Sequence, residues 1–127
     1  MTPSFLIGII DDDIFVRTSL ADLLRASGFR TTCFECAEEF LESTERSECA
    51  CVLADIHMEG MSGIELLEVP AMTALPVIIL TGQPEDFWRD RALQRGAVGF
   101  MQKPFQPKSL LALVTESIRT RGRSEAP

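Results

Sequence analysis

Apolar residues are distributed along the chain in two textures. Short, almost wholly apolar runs that stop at polar or charged residues occur at 5–10, 51–54, 77–80 and 98–101. Runs of this kind suit strands buried on both faces, as in a parallel sheet. Arg30–Phe34, carried by Thr31 and Thr32, is a weaker fifth strand. Between the runs lie helical patterns. Val16, Leu20, Leu23 and Leu24 fall at i, i+4, i+7 and i+8 on one helical face, and Gly28 is placed to close that helix. Residues 37–44 set Phe40 and Leu41 in an acidic helix, and 64–69 form a short helix stopped by Pro70. Residues 85–95 read as a poorly patterned helix, whereas Leu110, Leu113, Val114 and Ile118 mark one face of a last helix.

Five β-α units in succession predict an α/β fold, a doubly wound sandwich with helices on both sides of a parallel sheet. Sheets of this kind place their sites beyond the C-terminal ends of the strands. The rule selects Asp11, Asp12 and Asp13 after the first strand, Asp55 after the third, Thr81 after the fourth and Lys103 after the fifth.

Composition narrows the function classes. The 127 residues suit one domain, and 46% hydrophobic content supplies a core. A net charge of -7 argues against direct binding of nucleic-acid phosphates. Arg119, Arg121 and Arg123 near the end are read as cations suited to a helix C-terminus. There is no apolar run of membrane-spanning length and no secretory pattern at the start, so no membrane role and a cytoplasmic location are expected. Cys33, Cys36, Cys49 and Cys51 have spacings that invite zinc. Cys51, however, opens an apolar strand, where a thiol ordinarily acts as a small core residue.

Carboxylates brought to about 4 Å repel by roughly 4 kcal/mol at an effective dielectric near 20. Three consecutive aspartates joined by Asp55 therefore call for a hard divalent cation with oxygen ligands, and Mg²⁺ fits a small open carboxylate site. One of the three, Asp13, is placed to cap the following helix. Lys103 and Thr81 can supply an ammonium and a hydroxyl to a phosphoryl group. Together these parts suit phosphoryl transfer to an aspartate.

Four motifs in order, IIDDD (9–13), VLADIHMEGMSGIELL (52–67), VIILTG (77–82) and GAVGFMQKPF (96–105), resemble the receiver domain of bacterial response regulators, most nearly receivers of LuxR-type regulators. The resemblance covers residues 4–120 and leaves 121–127 as a tail or the start of a linker. It implies a flavodoxin-like (βα)5 sandwich with strand order 2-1-3-4-5. It further implies that Asp55 accepts a phosphoryl group from a sensor histidine kinase or phosphotransfer protein. Asp11, Asp12, Asp55 and the backbone carbonyl of His57 would hold Mg²⁺, with Mn²⁺ as a substitute. Thr81 and Lys103 would contact the phosphoryl oxygens, the Lys103–Pro104 bond would be cis, and Phe100 would be the switch aromatic moving with Thr81. The output face would be the fourth helix, fifth strand and fifth helix, signalling to an output domain or partner and compatible with a homodimer. Such a domain is a switch, promoting only its own phosphorylation and dephosphorylation.

Several positions depart from the family pattern. Glu59 stands where proline is usual, implying a looser loop after Asp55. Cys36 replaces a serine cap, Asp90 replaces an apolar residue of the fourth helix, and Val69 and Pro70 shorten the third. His57, the sole histidine, is expected at the rim of the site, where it and Gln83 would gate water. Phe87 and Trp88 suit either a partner contact or the core. Three alternatives share the topology. A haloacid-dehalogenase-type phosphatase would use Asp11, but Phe15 and the absence of a late acidic pair oppose it. A flavin-binding domain would need a phosphate loop where three aspartates stand. A non-phosphorylated adaptor would not need the Asp, Thr and Lys set.

Overall fold

The computed structural model describes residues 4–82 and 86–125, with side chains through residue 120. Five strands, β1 (Leu6–Ile10), β2 (Arg30–Phe34), β3 (Cys49–Asp55), β4 (Val77–Thr81) and β5 (Gly99–Gln102), alternate with five helices. The helices are α1 (Ile14–Ala26), α2 (Ala37–Glu42), α3 (Gly63–Leu67), α4 (Asp86–Gln94) and α5 (Pro107–Glu125). All strand pairs are parallel and the order is β2-β1-β3-β4-β5, the doubly wound sandwich expected from the pattern.

Alternate strand residues feed two cores, as a period of two requires. Ile7, Ile9, Leu53, Ile78 and Leu80 pack with Leu20 and Leu24 of α1 and Leu110 and Val114 of α5. Ile10, Val52, Ala54 and Ile79 pack on the other face with Phe40 of α2, Ile64 and Leu66 of α3 and Ala92 of α4. A bulge in β3 sets the phase. Leu6 pairs with Cys49 and Ile7 with Cys51, so Ala50 is an extra residue. Cys49 and Cys51 consequently fall into different cores, despite a spacing that would otherwise put them on one face.

Several boundaries differ from the sequence expectation. β3 begins earlier, at Cys49, because the bulge lets Ala50 join the strand without matching the alternation. β5 begins at Gly99 rather than 98; Val98 is 46% exposed, whereas Gly99 is buried against Leu113. α2 stops at Glu42 and α3 at Leu67, and a single 3₁₀ turn at Pro70–Met72 leads towards β4. α5 continues to Glu125, past the expected boundary at 120, because its apolar pattern ends at Ile118 and could not register the extension. α1 closes as expected, with the N–H groups of Gly28 and Phe29 bonding back to Arg25 and Leu24.

Candidate functional site

Adjacent strands β1 and β3 send their following helices to opposite faces, which opens a crevice at their C-terminal ends. Asp11 directly follows β1 and Asp55 ends β3. Thr81 ends β4, and Lys103 follows β5. The backbone N–H of Lys103 bonds the Thr81 carbonyl at 2.6 Å, which ties the ends of β4 and β5 together. Four segments far apart in sequence thus reach one edge.

Carboxylate oxygens of Asp11, Asp12 and Asp55 lie within 4.8 Å of one another. Asp11 is fully buried, Asp55 is 7% exposed and Asp12 stands open to solvent at the mouth. Lys103 Nζ is 2.8 Å from Asp11 Oδ2 and 3.6 Å from Asp55 Oδ1. Asp11 Oδ1 accepts from the Asp13 N–H at 2.9 Å, so both Asp11 oxygens are engaged. Asp13 itself caps α1 by accepting from the Phe15 N–H at 2.8 Å, as its position predicted.

The electrostatics are unbalanced. Burial pushes the Asp55 carboxyl above its ordinary value, the Asp11 charge adds to the rise, and Lys103 and the backbone N–H of His57 offset part of it. Burial also works to lower the Lys103 ammonium, but its hydrogen bond to Asp11 and the charges of Asp55 and Asp11 outweigh that, and the net shift is upward. One ammonium, in reach of two of the three carboxylates, leaves negative charge in excess. The oxygen-only donor set therefore fits a small hard cation.

The wall beyond Asp55 requires a glycine. A Cβ at Gly63 would meet the Asp55 carbonyl at 2.7 Å, so a bare Cα lets α3 start against the end of β3. The Gly63 N–H bonds the Ile56 carbonyl at 3.1 Å, and Ser62 and Glu65 form a capping box around the same turn. His57 is exposed, as expected at a rim, and its ring stands edge-on to Trp88 with centroids 5.6 Å apart. Trp88 is half-buried against the core, one of the two roles the sequence left open, while Phe87 is 59% exposed. Phe100 is half-buried against the α2–α3–α4 core. The Lys103–Pro104 peptide is cis. Cys36 makes no side-chain cap to α2, and Cys49 and Cys51 lie in opposite cores, so among the described residues the cysteines do not gather at one metal site. Gln83 and the side chains of Arg121 and Arg123 lie outside the described residues.

Two charged residues escaped the sequence reading. Arg17, with a side chain 11% exposed, donates to the Asp11 carbonyl and pairs with Glu35 at 3.7 Å, pinning the acidic turn from beneath. Its signal was a cation on the first turn of a helix that follows three acids. Glu38 accepts from the Met61 N–H at 3.0 Å, across from α2 to the loop after Asp55. A glutamate in an acidic helix gives no such signal.

Comparison with known proteins agrees with this geometry. The sequence profile of the response regulator receiver domain matches residues 7–115. The transcriptional regulatory protein FixJ of Bradyrhizobium diazoefficiens is 37% identical over 94% of this chain and 59% of its own length. The response regulator protein TodT of Pseudomonas putida is 34% identical over 96% of this chain and 56% of its own length. The chain thus spans little more than half the length of these relatives. Among solved structures, full-length FixJ from B. japonicum superposes with a TM-score of 0.84 at 35% identity, covering 94% of this chain and 60% of that one. A CheY-like receiver domain from Methanospirillum hungatei gives 0.86 at 27% identity, covering 96% and 99%. The acid-lysine crevice at the strand ends and a match through nearly the whole sandwich lead to one assignment: the chain belongs to the response regulator receiver domain family.

Proposed function

We propose that Asp55 is the phosphoacceptor of this receiver and that its phosphorylation is the switching event. The observation that carries the reading is the convergence of Asp11, Asp12 and Asp55 around an ammonium, Lys103, that reaches two of them. An Asp55 carboxylate oxygen attacks phosphorus and the donor leaves, giving an acyl phosphate. Lys103 pairs with one phosphoryl oxygen, and the Thr81 hydroxyl donates to another. Asp11 is the poorer nucleophile, because it is fully buried and holds the Lys103 ammonium at 2.8 Å, whereas Asp55 keeps some exposure and stands 3.6 Å from the same ammonium. That arrangement opposes a phosphatase reading through Asp11.

Mg²⁺, with Mn²⁺ as substitute, fits the surplus of carboxylate oxygens. Asp11, Asp12, Asp55 and the backbone carbonyl of His57 would hold it, and bound there it supplies positive charge against the incoming phosphoryl group. The new phosphoryl charge draws Thr81 and Lys103, whose backbones are already joined, and Phe100 follows on the neighbouring strand. α4, β5 and α5 then present the altered face. We take the donor to be a sensor histidine kinase or phosphotransfer protein in the cytoplasm. The recipient is an output domain or partner, with the switched face available for a homodimer. The names of the relatives, transcriptional regulatory protein and response regulator, support a role in controlling an output. The receiver unit is residues 4–120, with 121–127 as a tail or the start of a linker, and it acts as a switch that promotes only its own phosphoryl gain and loss.

Incubation with acetyl phosphate and Mg²⁺ tests the reading by intact-mass measurement and mapping of the labelled residue. Wild type is expected to gain one phosphoryl group on Asp55 and Asp55→Ala none. Label on Asp11, or equal labelling of Asp55→Ala, overturns it.

A further inference from the structure

We propose that Glu38, on α2, is a positioning residue for the Asp55 site: it holds the far end of the loop whose near end offers the His57 backbone to that site. The inference rests on the phosphoacceptor reading above and concerns how its cation-holding loop is kept in shape.

The loop leaves β3 at Asp55 and enters α3 at Gly63. Both anchorages are firm. Ile56 N–H bonds the Leu80 carbonyl at 2.8 Å, Gly63 N–H bonds the Ile56 carbonyl, and the Ser62–Glu65 capping box fixes the helix entry. The span between them carries His57, whose backbone N–H acts on the Asp55 carboxyl, and the buried side chain of Met58. Residue 59 is glutamate, which leaves φ unrestricted at a position where proline would fix it. The restraint on the remaining stretch comes from outside, because the Met61 N–H donates to Glu38 Oε2 at 3.0 Å.

Gly60 is shaped for this contact. Its φ of +82° is a conformation that side chains rarely adopt, and a Cβ there would sit 2.6 Å from Glu38 Oε2. The missing side chain at 60 and the carboxylate at 38 are complementary features, more than 20 residues apart in sequence, that meet on the loop bordering the acid cluster. A backbone group serves as a ligand only if its peptide is held in orientation, and partners that orient ligands commonly govern metal affinity. Release of Met61 frees the His57-to-Met61 peptides to turn, which weakens cation binding while the core stays folded.

Glu38 also lies in the first turn of α2, where its charge favours the helix. The two roles separate by substitution. Glu38→Gln keeps the reach and an acceptor oxygen without the charge. Glu38→Asp keeps the charge but is one methylene short, and Glu38→Ala removes both. Amide NMR of each variant reports folding, Met61 hydrogen exchange and Mg²⁺ half-saturation in one experiment, without a phosphoryl donor; acetyl phosphate labelling of the same samples follows.

The alanine and aspartate variants are expected to need about fivefold more Mg²⁺ and to exchange the Met61 amide faster, with the glutamine variant within about twofold of wild type. Wild-type behaviour in all three variants overturns the tether, and so does a defect in the glutamine variant that the aspartate variant lacks. A wild type that takes up neither Mg²⁺ nor phosphoryl overturns the function itself, and the tether with it. A wild type that takes up both, with indifferent variants, overturns the tether alone.

Discussion

α1 and α4 both begin beside the acidic crevice, yet they are held very differently. α1 is capped by Asp13, buries Leu20, Ala21 and Leu24, packs Val16 and Leu23 partly, and sends Arg17 under the acidic turn. Within α4 Ala92 alone is buried; Trp88 is half-buried, while Phe87 and Leu93 face solvent. Arg89 spends its charge on Asp86 and Asp90, and Arg91 sits over the Phe87 ring, so its polar contacts are largely its own. The crevice therefore has one wall welded to the sheet and one wall resting on it. On the proposed function, a site that binds a cation in fixed geometry and also passes on a change of state needs both. Local opening costs least where few apolar contacts are buried.

That contrast can be attacked from the strong side first. Leu24→Ala empties a fully buried position of α1 and is expected to cost about 3 kcal/mol in urea unfolding. A loss below about 1 kcal/mol would mean that α1 is not welded. Arg17→Met keeps the stem but strips the Asp11 carbonyl of a charged donor, and about 1.5 kcal/mol should be lost, together with weaker Mg²⁺ binding.

Asp55→Asn runs the other way. Because burial and Asp11 raise the folded-state value of Asp55, its contribution to stability is fully present below the ordinary carboxylate value and is lost as pH rises through the raised one. The asparagine variant should thus be more stable than metal-free wild type at neutral pH, with a higher melting temperature. The gap should close in acid; a gap that widens there refutes the sign. The smallest effect belongs to α4. Leu93→Ala is expected to change stability by less than about 0.5 kcal/mol. Amide exchange in α4 should be faster than in α1, and equal protection of the two helices would erase the distinction between the walls.

The legible part of the fold was the part that buries residues on both sides. β1 and β4 stand out as apolar runs because no solvent-facing position interrupts them, and the strand-end rule then led to Asp11, Asp55, Thr81 and Lys103 without knowledge of any contact. α4 read poorly for a physical reason: a helix that buries one residue has little periodicity to display. Val98 drew the expected β5 one residue too early, since its apolar side chain is exposed while the strand starts at a glycine packed under Leu113. Glu38 was unreadable because its contact is to a backbone group 23 residues away in sequence, and a charged residue on a helix looks the same whether it faces water or a backbone group; Arg17 offered only the cation that follows three acids.

The bulge at Ala50 has a consequence for how this chain tolerates changes in length. The ladder already treats Cys49 and Cys51 as neighbours, with their side chains on opposite faces as adjacent residues of a regular strand would have them. Excision of Ala50 would therefore close the ladder into an ordinary strand and leave everything from Cys51 to Asp55 in its present slot. At any later position of β3, removing one residue would swap the two faces and turn Asp55 out of its crevice. Position 50 is where this strand can shorten without losing its chemistry.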